Sequence, residues 1–324
     1  MRALVYTADR RQPELALGDV DEPRPRTGEV LLRVRATALN RADLMQVRGL
    51  YPPPPGESGV PGLEAAGEIE ALGEGVEGWR TGQRAMALLG GGGHAEKVSV
   101  PVGQLLPIPE RLSFEQGAAI PEVGVTAWTN LVHEGHLAAG ETVLITAAAS
   151  GVGSFAVQLA HQLGARVLVA GRSLERLQPL LALGAERALL LGSGLPERVH
   201  EATAGAGVDL VLDLVGGEAL PHHLGCLREG GRLVLIGLLG GSNAMLDQSR
   251  FMRRRLRLVG SVLRSRPRPE KARLVKAFGE LALPLLADGT LRPVIDRVAP
   301  FEQIAEAYRA LEEGGVLGKI VLRL

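Results

Sequence analysis

The chain has 324 residues, with Lys plus Arg and Asp plus Glu at 36 each, so its formal charge is zero and it offers no general attraction to nucleic acid or to an anionic bilayer. At roughly 100 to 200 residues per domain the length allows two domains. Apolar residues, 46% of the total, are ample for a large core, yet no uninterrupted stretch approaches the ~18 apolar residues that a membrane span needs.

The opening segment MRALVY reads as strand, without the apolar h-region and cleavage site of a secretory signal. With one cysteine, Cys226, no internal disulfide can form, and the expected location is the cytoplasm. Up to about Val123 the apolar runs are short and broken by Gly and Pro, a β-rich pattern with turns. The tract YPPPPGESGVPG, Tyr51 to Gly62, reads as a rigid exposed loop bordering a site. Ser113 with Gln116 three residues on has the form of a capping box, which predicts a short helix leading out of this domain.

From about Gly124 the rhythm changes. TVLITAA precedes a helical stripe at Val152, Phe155, Ala156, Leu159, Ala160 and Leu163, a strand–helix unit that ends at Gly164. ARVLVAG, ERALLL, VDLVLDLV, GRLVLIG and LRLVGSVL follow as continuous apolar strands, the kind buried on both faces of a parallel sheet. The fold class is therefore α/β, with a doubly wound domain over residues 124–263. Pro179 should kink or shorten the helix that begins near Ser173. A helix over 269–288, a last helix over 301–313 and the strand GKIVLRL make too small a unit to fold alone, so 264–324 should complete the domain of 1–123.

The strongest chemical signal is Ala148-Ala149-Ser150-Gly151-Val152-Gly153, between a strand and a helix, where backbone N–H groups and the helix dipole receive a pyrophosphate. Against G-x-G-x-x-G only Gly153 matches; the strand before and helix after carry the assignment, and the alternative is a turn that merely packs helix on strand. About 20 residues on, where an NAD-binding domain presents an acid, stand Ala170, Gly171, Arg172 and Ser173. Arg172 and Ser173, with Arg176, can bond a 2′-phosphate, which favours NADPH, although Arg172 also reads as a solvated charge in a chain with 32 Arg.

The segments ALNRADLMQVRGLYPPPPG, PGLEAAGEIEALG, VLITAAASGVGSFAVQLA, GRLVLIGLLGG, LRSR and GKIVL resemble the zinc-independent quinone oxidoreductases of the medium-chain dehydrogenase/reductase superfamily. The likeness is to the NADPH quinone reductase branch inducible by a tumour suppressor, with zeta-crystallin a more distant relative. That resemblance implies a GroES-like β-rich catalytic domain built from both chain ends and a central Rossmann domain. Zinc-dependent members hold a catalytic metal with Cys and His at positions that here correspond to Asn40 and Leu63, so no metal is expected. His94, His222 and His223 are expected to be turn and surface residues.

By the same resemblance Asn40, Asp43 and Tyr51 lie at the nicotinamide end of the cleft, with Asn40 donating a hydrogen bond to a substrate carbonyl and Tyr51 closing over it. Asp43 could instead only cap its turn, and Tyr51 only plug the Pro-rich loop. Thr126 is expected at the nicotinamide or its ribose, and Gly216, Gly217, Leu235, Ile236 and Gly237 at the C-terminal edge of the sheet beside the cofactor. Leu263, Arg264 and Ser265 are expected beside the dinucleotide, and Lys319 either there or on the surface. The implied activity is NADPH-dependent reduction of quinones; α,β-unsaturated ketones or aldehydes as acceptors, and a dinucleotide-binding sensor or crystallin-like protein without turnover, are the alternatives. The apolar run 256–263 would form a sheet edge that the family pairs across a two-fold axis, which predicts a homodimer, with a higher oligomer as the alternative.

Overall fold

The computed structural model describes residues 1–7, 9 and 11–324. They form two units, Met1–Val125 with Leu263–Leu324, and Thr126–Val262.

The first unit starts with β1 (Arg2–Thr7) and β2 (Glu14–Asp19), an antiparallel pair. Then come β3 (Glu29–Ala38), α1 (Arg41–Val47), β4 (Glu64–Leu72), β5 (Arg84–Leu88), β6 (Lys97–Pro101), β7 (Leu105–Pro107), α2 (Phe114–Ala118) and α3 (Pro121–Trp128), the last of which runs into the second unit. The ten-residue β3 pairs with β4 on one edge and with β6 on the other. Its run EVLLRVRATA is buried at almost every position, so side chains pack on both faces of this central strand. The capping box at α2 is present: Ser113 Oγ accepts from Gln116 N at 3.2 Å and Gln116 Oε1 accepts from Ser113 N at 3.0 Å.

The second unit contains β8 (Thr142–Ile145), α4 (Gly151–Gln162), β9 (Arg166–Gly171), α5 (Leu174–Leu181), β10 (Arg187–Leu190), α6 (Leu195–Ala202), β11 (Val208–Asp213), α7 (Leu220–Gly225), β12 (Leu227–Leu235), α8 (Gln248–Arg253) and β13 (Arg257–Gly260). The order β10-β9-β8-β11-β12-β13, all parallel, is the doubly wound order with its switch point between β8 and β9 on one side and β11 on the other. α5 keeps Pro179 but ends two residues later, the short helix that this proline dictates. The predicted strand over 256–263 is only four residues long, because Ser261 already leaves the ladder after one backbone bond to Leu235 O.

The chain then re-enters the first unit with α9 (Arg268–Asp288), β14 (Ile295–Pro300), α10 (Ile304–Glu313) and β15 (Lys319–Arg323). β15 pairs antiparallel with β3, so the C-terminal strand closes the sheet begun near the N-terminus. Tyr308, Phe301, Ile304 and Ile320 from this tail pack on Leu4, Leu39, Leu44 and Val47, one core made from both ends of the chain. Among the described residues no helix is long and apolar enough to cross a membrane.

Candidate active site

Two buried charges anchor the first unit. Glu64 opens β4 and Lys319 opens β15; pairing of both strands with β3 (Thr37 opposite Ala65, Ala38 opposite Val321) brings them together across 255 positions of sequence. Lys319 Nζ lies 2.7 Å from Glu64 Oε1 and donates to Leu39 O and Asn40 Oδ1, each at 2.6 Å. Lys319 is buried, not the surface lysine that one of its two expectations describes, and its three donors are all taken within the protein. Asn40 changes role as well. Its Nδ2 donates to Glu64 Oε1 at 3.0 Å and to Ala38 O at 3.4 Å, so the amide expected to donate to a substrate carbonyl is bound within the protein.

Asp43, wholly buried, accepts from Asn40 N at 2.7 Å and from Gly62 N at 3.1 Å, tying the start of α1 to the end of the Pro-rich loop. Its capping alternative is thus the one the geometry realises. His94 is fully buried rather than at a surface turn: Nδ1 meets the Tyr308 hydroxyl at 3.0 Å, and Nε2 lies 4.0 Å from Asp43 Oδ2. Burial holds His94 below the usual imidazole range, against the pull of Asp43, so it is neutral at pH 7.

Tyr51 is half-buried at the start of the Pro-rich loop. Arg264 stands over its ring at 5.2 Å and donates to Tyr51 O at 3.1 Å, Gly90 O at 2.8 Å and Gln46 Oε1 at 2.5 Å. The Arg264 guanidinium is therefore a buried clamp on this loop; Leu263 is buried beside it and Ser265 is exposed. Burial pushes the Tyr51 hydroxyl up, as does the nearby Glu122 charge, while Arg264 pulls it down. Glu122, in the first turn of α3, donates its backbone N–H to Glu64 Oε2 at 2.9 Å. Desolvation pushes its carboxyl up to about 8, helped by Glu64 and Asp43 and opposed by Lys319 and Arg264.

The second unit supplies the cradle. Ser150 caps α4, its Oγ accepting from Gly153 N at 3.1 Å, and the other first-turn N–H groups of this twelve-residue helix have no intrahelical acceptor. At Gly153 a Cβ would lie 2.6 Å from the Ala148 backbone, so only glycine lets the helix approach β8 this closely. Gly151 and Val152 are half-buried there. Arg172 and Arg176 are exposed at the end of β9 and the start of α5, and Ser173 caps α5. The Thr126 hydroxyl is buried and has no hydrogen-bond partner among the described residues.

Asp213, at the end of β11, organises the remaining loop. It accepts from Thr146 Oγ1, Val215 N and His223 Nδ1, each at 2.9 Å, and from Gly216 N at 3.3 Å. His223 is thus buried, not a surface residue, because this carboxylate holds it. Gly216 and Gly217 both have positive φ, and a Cβ on Gly217 would lie 2.0 Å from Gly240 O. Leu235, Ile236 and Gly237 follow half-buried, Ile236 N donating to Asp213 O at 2.8 Å.

Residues 26–110 match the family model described as alcohol dehydrogenase GroES-like domain, and residues 151–280 that described as zinc-binding dehydrogenase. A quinone oxidoreductase from Sus scrofa is 31% identical over 312 residues, spanning 94% of this chain and 92% of that protein. The acryloyl-coenzyme A reductase of Metallosphaera sedula is 30% identical over 99% of both chains. The quinone oxidoreductase of Thermus thermophilus, solved also as its complex with NADPH, is 40% identical over the full length of both chains, with a TM-score of 0.83. The chain belongs to the medium-chain dehydrogenase/reductase superfamily.

As a superfamily member it is an oxidoreductase, and its Rossmann unit carries features suited to a nicotinamide dinucleotide: a capped helix N-terminus, a glycine no other residue can replace, and an orphaned hydroxyl at Thr126. Zinc is different. The positions of the metal ligands hold Asn40, whose oxygen faces an ammonium at 2.6 Å, and the aliphatic Leu63. A fixed lysine cation beside that oxygen opposes a second cation, and the donors do not suit zinc. Among the described residues no three His, Cys, Asp or Glu side chains are grouped to hold a metal. Burial pushes the Cys226 thiol up to about 12, which leaves it protonated and a poor ligand.

The residues that sequence reasoning passed over are Glu64, Glu122 and Asp213. Glu64 sits in an apolar run, GLEAAG, where a lone acid destined for burial signals a partner elsewhere; nothing in the sequence names Lys319 as that partner.

Proposed function

We propose that this protein is an NADPH-dependent quinone reductase that works without zinc. The observation that carries the reading is Lys319 Nζ lodged on Glu64 and Asn40, in a donor set unsuited to a Lewis acid. Lacking one, the site favours acceptors already polarised by conjugation over alcohols that must be deprotonated. When bound, the reduced nicotinamide supplies the hydride. Ser150, Gly151, Val152 and Gly153 receive the pyrophosphate, Arg172, Ser173 and Arg176 the 2′-phosphate, and Thr126 and the loops Gly216–Gly217 and Leu235–Gly237 the nicotinamide half. Tyr51, held by Arg264, flanks the acceptor. The 40% identity to a quinone oxidoreductase solved with NADPH supports this assignment. The acryloyl-coenzyme A reductase relative favours, as a second reading, a conjugated carbonyl compound as the acceptor.

The test is steady oxidation of NADPH with 9,10-phenanthrenequinone and with a panel of enones, with and without EDTA. Enone rates above every quinone rate would replace the first reading by the second, and inhibition by EDTA with stoichiometric metal in the protein would overturn the zinc-free assignment. Arg172 is exposed and has no ion-pair partner among the described residues, so a 2′-phosphate would be its charge partner. Arg172→Ala is expected to weaken NADPH binding about 10- to 100-fold, the worth of a charge-assisted hydrogen bond, and to leave NADH binding unchanged; titration of nucleotide fluorescence measures both. Edge strand β13 is proposed to pair with a second copy into a cytoplasmic homodimer, which sedimentation at monomer mass would contradict.

A further inference from the structure

Hydride transfer to a quinone or an enone leaves negative charge on an acceptor oxygen, and that charge requires a proton. Most donors of the first unit are committed. Both amide hydrogens of Asn40 face Glu64 and Ala38, the Lys319 ammonium is bound by Leu39, Asn40 and Glu64, and the Arg264 guanidinium by Gly90, Tyr51 and Gln46. His94 is sealed in the core against Tyr308. Glu122 differs: its backbone is pinned to Glu64, its side chain is half-buried, and among the described residues its carboxyl takes part in no hydrogen bond or ion pair.

From this we propose that the Glu122 carboxyl is the acid that protonates the reduced acceptor, a step that rests on the reductase reading above. The acceptor gains two electrons with the hydride and the nicotinamide is oxidised. The O–H bond of Glu122 breaks as the new O–H bond forms on the acceptor, and the carboxylate then recovers its proton from water. Burial first, and then the charges around it, keep Glu122 protonated until needed. Glu64 on β4 is balanced by Lys319 on β15, Asp43 on α1 is bound by backbone N–H groups, and Arg264 ahead of α9 is spent on the Pro-rich loop, so a further carboxylate lacks a free cation. Tyr51, whose hydroxyl responds to the Glu122 charge, and Lys271 on α9, whose ammonium donates to Arg264 O and lies 3.7 Å from Glu57, are the other groups facing it.

The protonated form is the active one, so kcat should hold at low pH and fall as pH rises through about 8. Glu122→Gln is expected to lower kcat for 9,10-phenanthrenequinone about 100-fold at pH 7 and to flatten that fall, with NADPH affinity and melting temperature unchanged; Glu122→Asp should restore part of the rate together with a pH-dependent limb. Infrared difference titration of the free protein should show a protonated-carboxyl band lost around pH 8 in the wild type and absent from Glu122→Gln. A wild-type kcat that does not fall through pH 8, or a Glu122→Gln enzyme that keeps the rate and the fall, overturns the assignment while leaving the reductase reading intact. A wild-type protein that oxidises NADPH with no quinone or enone removes the reductase reading and this proposal together, even if the infrared band is present.

Discussion

Replacing Lys319 by Met is expected to destabilise the protein by about 3–5 kcal/mol, the cost of stranding one partner of a buried ion pair. The Lys319 side chain is 4% exposed and that of Glu64 is not exposed at all, so water cannot solvate the carboxylate once the ammonium is gone. Leu39 O and Asn40 Oδ1 lose their lysine donor, and Glu64 Oε1 loses the charged one of its two. The remaining support for Glu64, from Asn40 Nδ2 and Glu122 N, is neutral. Urea unfolding of the single and double variants measures the effect. Lys319→Met with Glu64→Gln should recover more than half of the loss, since a neutral amide is cheaper to bury than an unpaired carboxylate. A Lys319→Met protein within about 1 kcal/mol of the wild type would show that Glu64 is not left as an unpaired buried charge.

How far the sequence reveals this architecture depends on the range of the interactions involved. Local signals translate directly. Ser113 and Gln116 form their reciprocal cap, Ser150 caps the cradle helix, and the uninterrupted runs VLI, VLVA and LVLD become strands buried on both faces. Pairing set by distant strands is not visible in this way. Glu64, Asp43, His94, Glu122, Arg264 and Lys319 come from six segments, and only the register of β15 on β3 and β3 on β4 makes Glu64 and Lys319 partners. Resemblance puts Arg264 beside the dinucleotide and Lys319 there or on the surface, and nothing within either segment shows that both are buried. Their burial follows instead from carbonyl and carboxylate acceptors contributed by the Pro-rich loop, α1 and β4. His94 and His223 are misplaced by the same argument: a histidine beside glycines or in a His-His pair reads as exposed until Tyr308 or Asp213 is known to meet it.

Asp213 is where fold and cofactor chemistry converge, and Asp213→Ala is expected to cost about 3–5 kcal/mol of stability together with at least a tenfold loss of NADPH affinity. One carboxylate accepts from Thr146 just after β8, from Val215 and Gly216 in the loop after β11, and from His223 on α7. Its removal strands these buried donors at about 1–3 kcal/mol each, partly relieved by relaxation. It also frees the positive-φ pair Gly216–Gly217 from the strand that leads into the Ser150 cradle. Burial alone would raise this carboxyl, but the hydrogen bond and charge of His223, with the bonds from Val215 and Thr146, hold it below the usual aspartate range. The sign follows from that depression: the stability the carboxylate supplies is complete above an unfolded-state pKa of about 3.9 and is lost as pH falls through the lower folded value. Asp213→Asn keeps one oxygen acceptor and should therefore be milder than Asp213→Ala at pH 7 while lacking this acid dependence. Chemical unfolding at several pH values, paired with fluorescence titration of NADPH, separates the two contributions. If Asp213→Ala lowered stability but bound NADPH as the wild type does, the carboxylate would hold the core without shaping the dinucleotide loop.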